Sequence, residues 1–488
     1  MLSGSLSTGF QQQVERSPDA PALVWNEETV SYGRLGADVA DMRARITGPA
    51  TGGHRPVAVP ARKSPATIAL ILACLTEGRP VLLPSAELGA DSLQELAAQV
   101  GAGHVVTRTD NGDTVADAVT PQHGAVELPP GVQLLLTTSG STGLPKVVPL
   151  PRTGVDAFVT WAAGRFGIGP GRYVLSYAPL NFDLSLLDVW TTLSRGGCAV
   201  LVDPGRATDG AHLRELIARH GVHVVQGVPL MYRQLCDGQQ HAEALRAPRH
   251  VLFTGATMPS TLLARLPALF PAAAFANVYG CTETNDSFIH DVDLSGWDEE
   301  SVMPIGRPIP GVRARLEDFR GRPLNGCGTG ELVVHTPFQA PGYVGRQPGR
   351  DAFVTRRDDD GPHTYFRSGD LLRRHPDGTL TLVGRSDFQI KVRGTRVNIE
   401  EVEQVLLSHP DVREAAVVAV PDEAAGHRLS AVVRRAPGSP LGNIALRRHC
   451  ARRLTRVAIP SDVRIVEDPL PRGSTGKIDR AALHPNAE

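Results

Sequence analysis

Lysine is nearly missing from this chain. Of 50 basic residues among 488, only Lys63, Lys146, Lys391 and Lys477 are lysines, and arginine supplies the rest. Each lysine is therefore a candidate for a required ammonium. Three of the four fall inside motifs described below, whereas Lys63 has none around it and reads as chance placement. An excess of charge of one sign is also missing. A formal net charge of −1 offers no electrostatic footprint for nucleic acid or an anionic membrane surface. No apolar run approaches the roughly 20 residues that a bilayer demands. The longest, Ile68 to Leu75, reads as a buried helix with Ser64 as cap, Pro65 in its first turn and Gly78 past its end. Residues 1–13 lack the basic and apolar regions of a signal peptide, and the six cysteines lack metal-ligand or disulfide-framework spacing. These absences lead us to expect a reduced, cytoplasmic protein with no nucleic-acid or membrane partner.

What is present is an ordinary globular composition, 41% hydrophobic and 21% charged, on a chain long enough for two or more domains. Internal repeats and low-complexity segments are not evident. From about residue 55 to 285, helical stretches alternate with short apolar runs, as in the helix near 211–220 followed by Val222–Val228. Val251–Thr254 is likewise followed by a helix near 260–266. Alternation of this kind predicts layered α/β structure with substantially parallel sheet, whose ligands sit beyond the strand ends. Residues 310–385 carry short β-like runs between Gly and Pro turns, predicting a distorted barrel or β-rich lobe. Beyond them, the alternating run Phe388–Gly394 predicts a strand, and Asn398 with Glu401 a capped helix to about Leu407. Strands at 414–420, 429–433 and 462–466 and a helix near 441–454 complete a small α+β unit. The expected division is a core of 1–386 and a C-terminal domain of 387–488.

The strongest chemical signal is LLLTTSGSTGLPK, from Leu134 to Lys146. An apolar strand enters a loop of hydroxyls and glycines that ends in a lysine. Such a loop lets backbone N–H groups approach a polyphosphate while the ammonium neutralises it. It lacks the G-x-x-x-x-G-K-[ST] pattern of a Walker A loop. A plain polar surface loop is the alternative. The loop resembles the phosphate-binding motif of the adenylate-forming superfamily, which includes acyl-CoA synthetases, nonribosomal peptide synthetase adenylation domains and firefly luciferases. Four further motifs follow in the same order. Asn277-Val-Tyr-Gly-Cys-Thr-Glu-Thr284 resembles Y-G-x-T-E, and Phe366-Arg-Ser-Gly-Asp370 resembles the ribose-binding T-G-D. Gly384-Arg-Ser-Asp-Phe-Gln-Ile-Lys391, with Gly394 and Arg396, is similar to the hinge region, and Leu470 to Arg480 to the segment carrying a catalytic lysine.

The roles that this resemblance implies suit the chemistry. Joining a carboxylate to the α-phosphorus of ATP brings anions together, and positioned cations offset the repulsion. Lys477 would bridge substrate carboxylate and α-phosphate, while Lys146 with Thr138, Ser139, Gly140 and Thr142 would cradle phosphates. Glu283 would hold Mg²⁺, with Thr282 as a hydroxyl contact. Asp370 would accept the ribose hydroxyls and Arg385 would support them. Tyr279 would stack on adenine, Asn277 would read its amino group, and Gly280, Gly255 and Ala256 would complete the walls. Asp387 would be the pivot of a mobile C-terminal domain. Taken singly, Asp370 and Glu283 could be ordinary loop carboxylates and Arg385 a surface ion-pair partner; the joint pattern gives them weight. Three departures stand out: Val147 after Lys146, Cys281 in place of a common proline, and Leu382 where peptide-synthetase domains often carry tyrosine.

Leu180-Asn-Phe-Asp-Leu-Ser-Leu-Leu-Asp188 resembles the F-D-x-S motif of amino-acid-activating members, including D-alanine–carrier protein ligases. The resemblance implies that Asp183 pairs with the substrate ammonium, against the alternative of a helix cap. Leu184, Leu187, Gly227, Leu252, Thr254, Val278, Asp286 and Ser287 would line the side-chain pocket. Asp286 favours a polar or amine-bearing side chain, or else faces solvent beside a small aliphatic one. The chain carries no carrier-protein segment, so the expected acceptor is the phosphopantetheine thiol of a separate carrier, with CoA as the alternative. A non-catalytic nucleotide-binding scaffold is the reading from another class.

Overall fold

The computed structural model describes residues 5–46, 55–108, 114–120, 127–138, 144–237, 243–294, 297, 302–318, 320–345, 352–385, 389–422, 426–471, 478 and 480–483. Ser139, Gly140, Thr142, Asp387 and Lys477 lie outside the described residues. The chain divides into two compact units. The larger comprises Met1–Pro84, Ala97–Leu136 and Val147–Ser386, and the smaller Ser85–Leu96, Thr137–Lys146 and Asp387–Glu488. No helix among the described residues is long and apolar enough to cross a membrane.

A nine-stranded sheet dominates the larger unit. Its order is Arg307–Pro308, Asn285–Val292, Ala274–Cys281, His250–Phe253, Val224–Gly227, Tyr173–Ser176, Cys198–Leu201, Pro21–Trp25 and Glu28–Ser31. The six strands from Ala274–Cys281 to Pro21–Trp25 run parallel, and the outer pairs are antiparallel. Parallel strands are covered on both faces, which is why Val224-Val225 and Cys198-Ala-Val-Leu201 are continuously apolar. Val174, Val224 and Leu252 face one apolar cluster, while Leu175, Val225, Val251 and Phe253 face the other. Tyr173–Ser176 lies between the two later strands Cys198–Leu201 and Val224–Gly227. The strand order therefore reverses at Ser176, the switch point where open α/β sheets leave a crevice.

A second sheet has the order Thr114–Ala118, His104–Arg108, Val57–Ala58, Val81–Leu83, Val132–Thr138 and Lys146–Pro151, parallel across its four middle strands. The anticipated helix spans Pro65–Thr76, with the Ser64 hydroxyl accepting from Thr67 N–H at 3.1 Å and Gly78 at φ +68° beyond it. Gly210–Arg219 is capped likewise by Asp209. The helix expected near 260–266 is instead two turns, Ser260–Leu263 and Leu266–Leu269, because Pro267 removes a donor and restarts the helix. Of the two forms expected for the β-rich region, the open one occurs. Gly361–Arg374 is flanked by Gly328–His335 and Phe353–Asp358, and along its second half it also pairs Leu380–Arg385.

In the smaller unit, Gln389–Val392 pairs with Thr395–Asn398 through Arg393 and Gly394, both at positive φ as a tight hairpin turn requires. Helix Ile399–Leu407 follows, then strands Val412–Asp422 and Gly426–Arg435, helix Asn443–Ala451 and strand Asp462–Val466. Val402, Leu406, Val417, Ala431, Val433 and Leu446 form its core. Arg480, which ends the C-terminal motif, donates to both oxygens of Glu403 at 3.1 and 2.7 Å.

Candidate active site

Three constellations gather in the larger unit near the carboxyl ends of the parallel strands. The first is built by register. Asp370 on Gly361–Arg374 stands opposite Arg385 on Leu380–Arg385. Arg385 donates from one guanidinium nitrogen to an Asp370 oxygen and from another to Ser368 O at 2.9 Å. Tyr279 O–H donates to the second Asp370 oxygen. Burial first, then the Asp370 charge, pushes the Tyr279 phenol well above its ordinary value, so it stays a donor. Ser368 Oγ accepts from Asp370 N–H at 3.0 Å and donates to Leu332 O at 2.8 Å, locking the strand. The sequence motif contained Ser368 without giving it a role. Each carboxylate oxygen retains lone-pair capacity beyond these bonds.

The second is a strand–turn–strand unit, Ala274–Cys281 into Asn285–Val292. Tyr279 pairs with Phe288, but Gly280 pairs with Asp286, so Ser287 is the extra residue of a bulge. Bulges re-aim side chains, and this one turns Asp286 and Ser287 out of regular alternation. Ser287 Oγ is fully buried and donates to Thr284 Oγ1 and Asn285 O, both at 3.1 Å. Asn285 takes φ +55°, and its side chain accepts from Asp286 N–H at 2.8 Å. Gly280 is needed here because a Cβ would lie 2.1 Å from the Asn285 carbonyl oxygen. Asn277 Nδ2 donates to Pro304 O at 2.8 Å, which leaves its Oδ1 as the acceptor that an adenine amino group requires. Glu283 is 1% exposed and accepts from Tyr343 O–H at 2.6 Å. No sequence pattern identified Tyr343. A carboxylate with a neighbouring threonine suits Mg²⁺, which takes few protein oxygens and completes its shell with water and phosphate.

The third is the acid pocket. Leu187, Leu252 and Val278 belong to one apolar cluster, with Thr254 buried at the adjoining strand end. Leu184 is half-buried, and its carbonyl accepts from Gln226 Nε2 at 3.3 Å, a contact sequence reasoning missed. At Gly227 a Cβ would lie 2.4 Å from the Met231 methyl, so Met231 fills the space beside this position. Asp183 Oδ1 accepts from the N–H of the next residue, Leu184, at 3.0 Å, and the helical turn that follows has no side-chain cap. Burial and then the Asp183 charge push Asp286 up to about 8. Among the described residues, Asp183 is the one charged group acting on it. The structure thus brings the two acids within each other's field.

Of the remaining expected residues, Thr138 ends strand Val132–Thr138, Lys146 begins Lys146–Pro151, and Gly255 adopts φ +81° just past His250–Phe253, followed by Ala256. Thr282 lies half-exposed in the turn between the bulged strands.

Known proteins share this organisation. The family described as AMP-binding enzyme matches residues 10–133 and 129–344, and the AMP-binding enzyme C-terminal domain matches 401–477. The chain is 34% identical over 375 residues to an L-proline--[L-prolyl-carrier protein] ligase of Pseudomonas fluorescens, covering 77% of this chain and 71% of that protein. A ligase of the same name from Streptomyces coelicolor is 32% identical over 507 residues, covering 95% and 93%. Among solved structures, the amide bond synthetase McbA from Marinactinospora thermotolerans matches with a TM-score of 0.81 at 26% identity, covering 99% of each chain. With matched segments spanning both its larger and smaller units, the chain belongs to the AMP-binding, adenylate-forming enzymes.

Proposed function

We propose that this chain is an ATP-dependent ligase that activates an amino acid as aminoacyl-AMP and passes it to the phosphopantetheine thiol of a separate carrier protein. The observation that carries the amino-acid reading is the pair of acids, Asp183 and Asp286, acting on one another beside the apolar side chains of Leu187, Leu252 and Val278. Two neighbouring carboxyl groups disfavour each other's ionisation, and an ammonium-bearing substrate offsets that repulsion. A fatty acid carries no ammonium and brings only its own negative carboxylate towards the two acids. Asp286 further favours a substrate with an amine or other donor in its side chain.

In the first half-reaction a substrate carboxylate oxygen attacks the α-phosphorus, and the bond from that phosphorus to the bridging oxygen breaks, releasing pyrophosphate. The carboxylate is ionised at neutral pH, so no general base is needed. Asp370, held by Arg385 and Tyr279, would present acceptors to the ribose. Lys477 would neutralise the charge gathering at the α-phosphate, and Lys146 with Thr138, Ser139, Gly140 and Thr142 would hold the outer phosphates. Glu283 and Thr282 would hold Mg²⁺, which supplies further charge neutralisation when bound. In the second half-reaction the carrier thiolate attacks the acyl carbon and AMP leaves. Rotation of the C-terminal domain about Asp387 would exchange the lysine for the thiol.

Asp183→Ala tests the reading. It should raise KM for the amino acid by about a hundredfold, as loss of one partner in a buried pair implies, while changing KM for ATP little. Equal effects on both substrates would assign Asp183 a structural role instead.

A further inference from the structure

Lys63 is not chance placement. It is 2% exposed, and its ammonium donates to Ser176 O at 2.7 Å and Tyr177 O at 3.1 Å. Ser176 ends the strand at which the sheet order reverses, and the chain beyond it carries Asp183. That segment then enters a π-helical turn, Leu186–Thr191, in which Asp188 is fully buried. No described residue makes a hydrogen bond of good geometry to either Asp188 oxygen, although the Ser176 hydroxyl and the Val189 N–H lie close enough to favour its ionised form. The largest offset to its burial is the Lys63 charge: burial raises Asp188 while Lys63 draws it down, and burial lowers Lys63 while Asp188 draws it up. Lys63 therefore grips the start of the 176–188 segment through two carbonyls and its end through charge.

The rest of the segment is braced by hydroxyls. Ser185 Oγ donates to Leu180 O at 3.1 Å and accepts from Trp190 Nε1 at 3.2 Å, while Thr191 Oγ1 donates to Leu186 O at 2.7 Å. A π-turn widens the helix by one residue and is a common device for re-aiming side chains at functional sites. Two buried, oppositely charged groups, one within the turn and one against the start of the segment, exceed what packing alone requires, since apolar residues of similar volume are often at least as stable. A compact ammonium also fits between two carbonyls where a planar guanidinium would not, which accounts for lysine surviving here in an arginine-rich chain.

We propose that Lys63 is a positioning residue for amino-acid binding, acting with Asp188 to fix the 176–188 segment so that Asp183 meets the substrate ammonium. The proposal rests on the reading of Asp183 given above. The test compares Lys63→Met, Asp188→Asn, Asp183→Ala and Lys63→Met/Asp183→Ala by ATP–pyrophosphate exchange and thermal melting. Lys63→Met and Asp188→Asn should each raise KM for the amino acid about tenfold or more, as misplacement of a binding group does, with KM for ATP within about twofold. In the double variant the two effects should fall well short of additive. Asp188→Asn keeps the shape of the site, so it carries the test if Lys63→Met fails to fold. A lowered Tm with proportionate changes in both KM values, or with none, would overturn the proposal and leave a purely structural pair. An unchanged amino-acid KM in Asp183→Ala would overturn the underlying reading of Asp183, and the positioning role with it.

Discussion

Asp286 is where residue-scale chemistry is most exposed to measurement. Burial and the neighbouring Asp183 raise its carboxyl to about 8, so it holds its proton in the free enzyme at neutral pH. A carboxyl raised on folding contributes stability that is present in acid and is lost as pH rises through its folded value. An arriving ammonium reverses the preference by favouring the ionised form. KM for the amino acid should therefore fall as pH rises from about 6.5 to about 8.5, and Asp286→Asn should flatten that slope. A slope that survives the substitution would place the titration elsewhere. The residues that we propose to meet nucleotide and substrate stood out in the sequence because that chemistry would need them: an acceptor pair at Asp370, a cation at Arg385, acids at Asp183 and Asp286. Their supports were not legible. Tyr343 is 60 residues from Glu283, and Lys63 is 113 from Ser176. No local pattern marks such pairs, because only the assembled sheets bring them together.

Elements were read best where termination is local. Ser64 and Pro65 announce one helix, which formed where expected, and the helix near 211–220 formed at Gly210–Arg219 with an Asp209 cap that the sequence reading had not singled out. The π-turn after Asp183 was not readable, because its spacing differs from an α-helix by a single residue and its bracing comes from side chains already in place. The bulge in Asn285–Val292 was equally hidden, although its requirement for glycine is visible in hindsight. At Gly280 the obstruction is backbone, the Asn285 carbonyl at 2.1 Å, so a methyl group there can be relieved only by moving the turn. Gly280→Ala should cost about 1–3 kcal/mol of stability, the usual range for overpacking, and should raise KM for the amino acid by displacing Asp286. Thermal melting with exchange kinetics checks both; a wild-type Tm and KM together would show that the bulge tolerates the group.

At the scale of the whole molecule, the layered α/β core and the smaller α+β unit were anticipated from alternation and turn residues, and the sequence motifs follow that architecture. The motif expected to bind phosphate begins at the end of strand Val132–Thr138, where an open parallel sheet leaves space for a ligand, whereas the Phe366–Asp370 motif lies within the antiparallel strand Gly361–Arg374. The reversal at Ser176 places the segment carrying Asp183 at the same edge of the sheet as Tyr279 and Thr254, where the proposed nucleotide and amino-acid sites would adjoin. Strand order itself could not be read from the chain, since any of several right-handed arrangements satisfies the same alternation. The most direct measurement is ATP–pyrophosphate exchange by the full chain across amino, aryl and fatty acids. Exchange that requires an amino acid, strongest for those bearing a second amine or another donor, is the expected result. Faster exchange with an aryl or fatty acid than with any amino acid would contradict it.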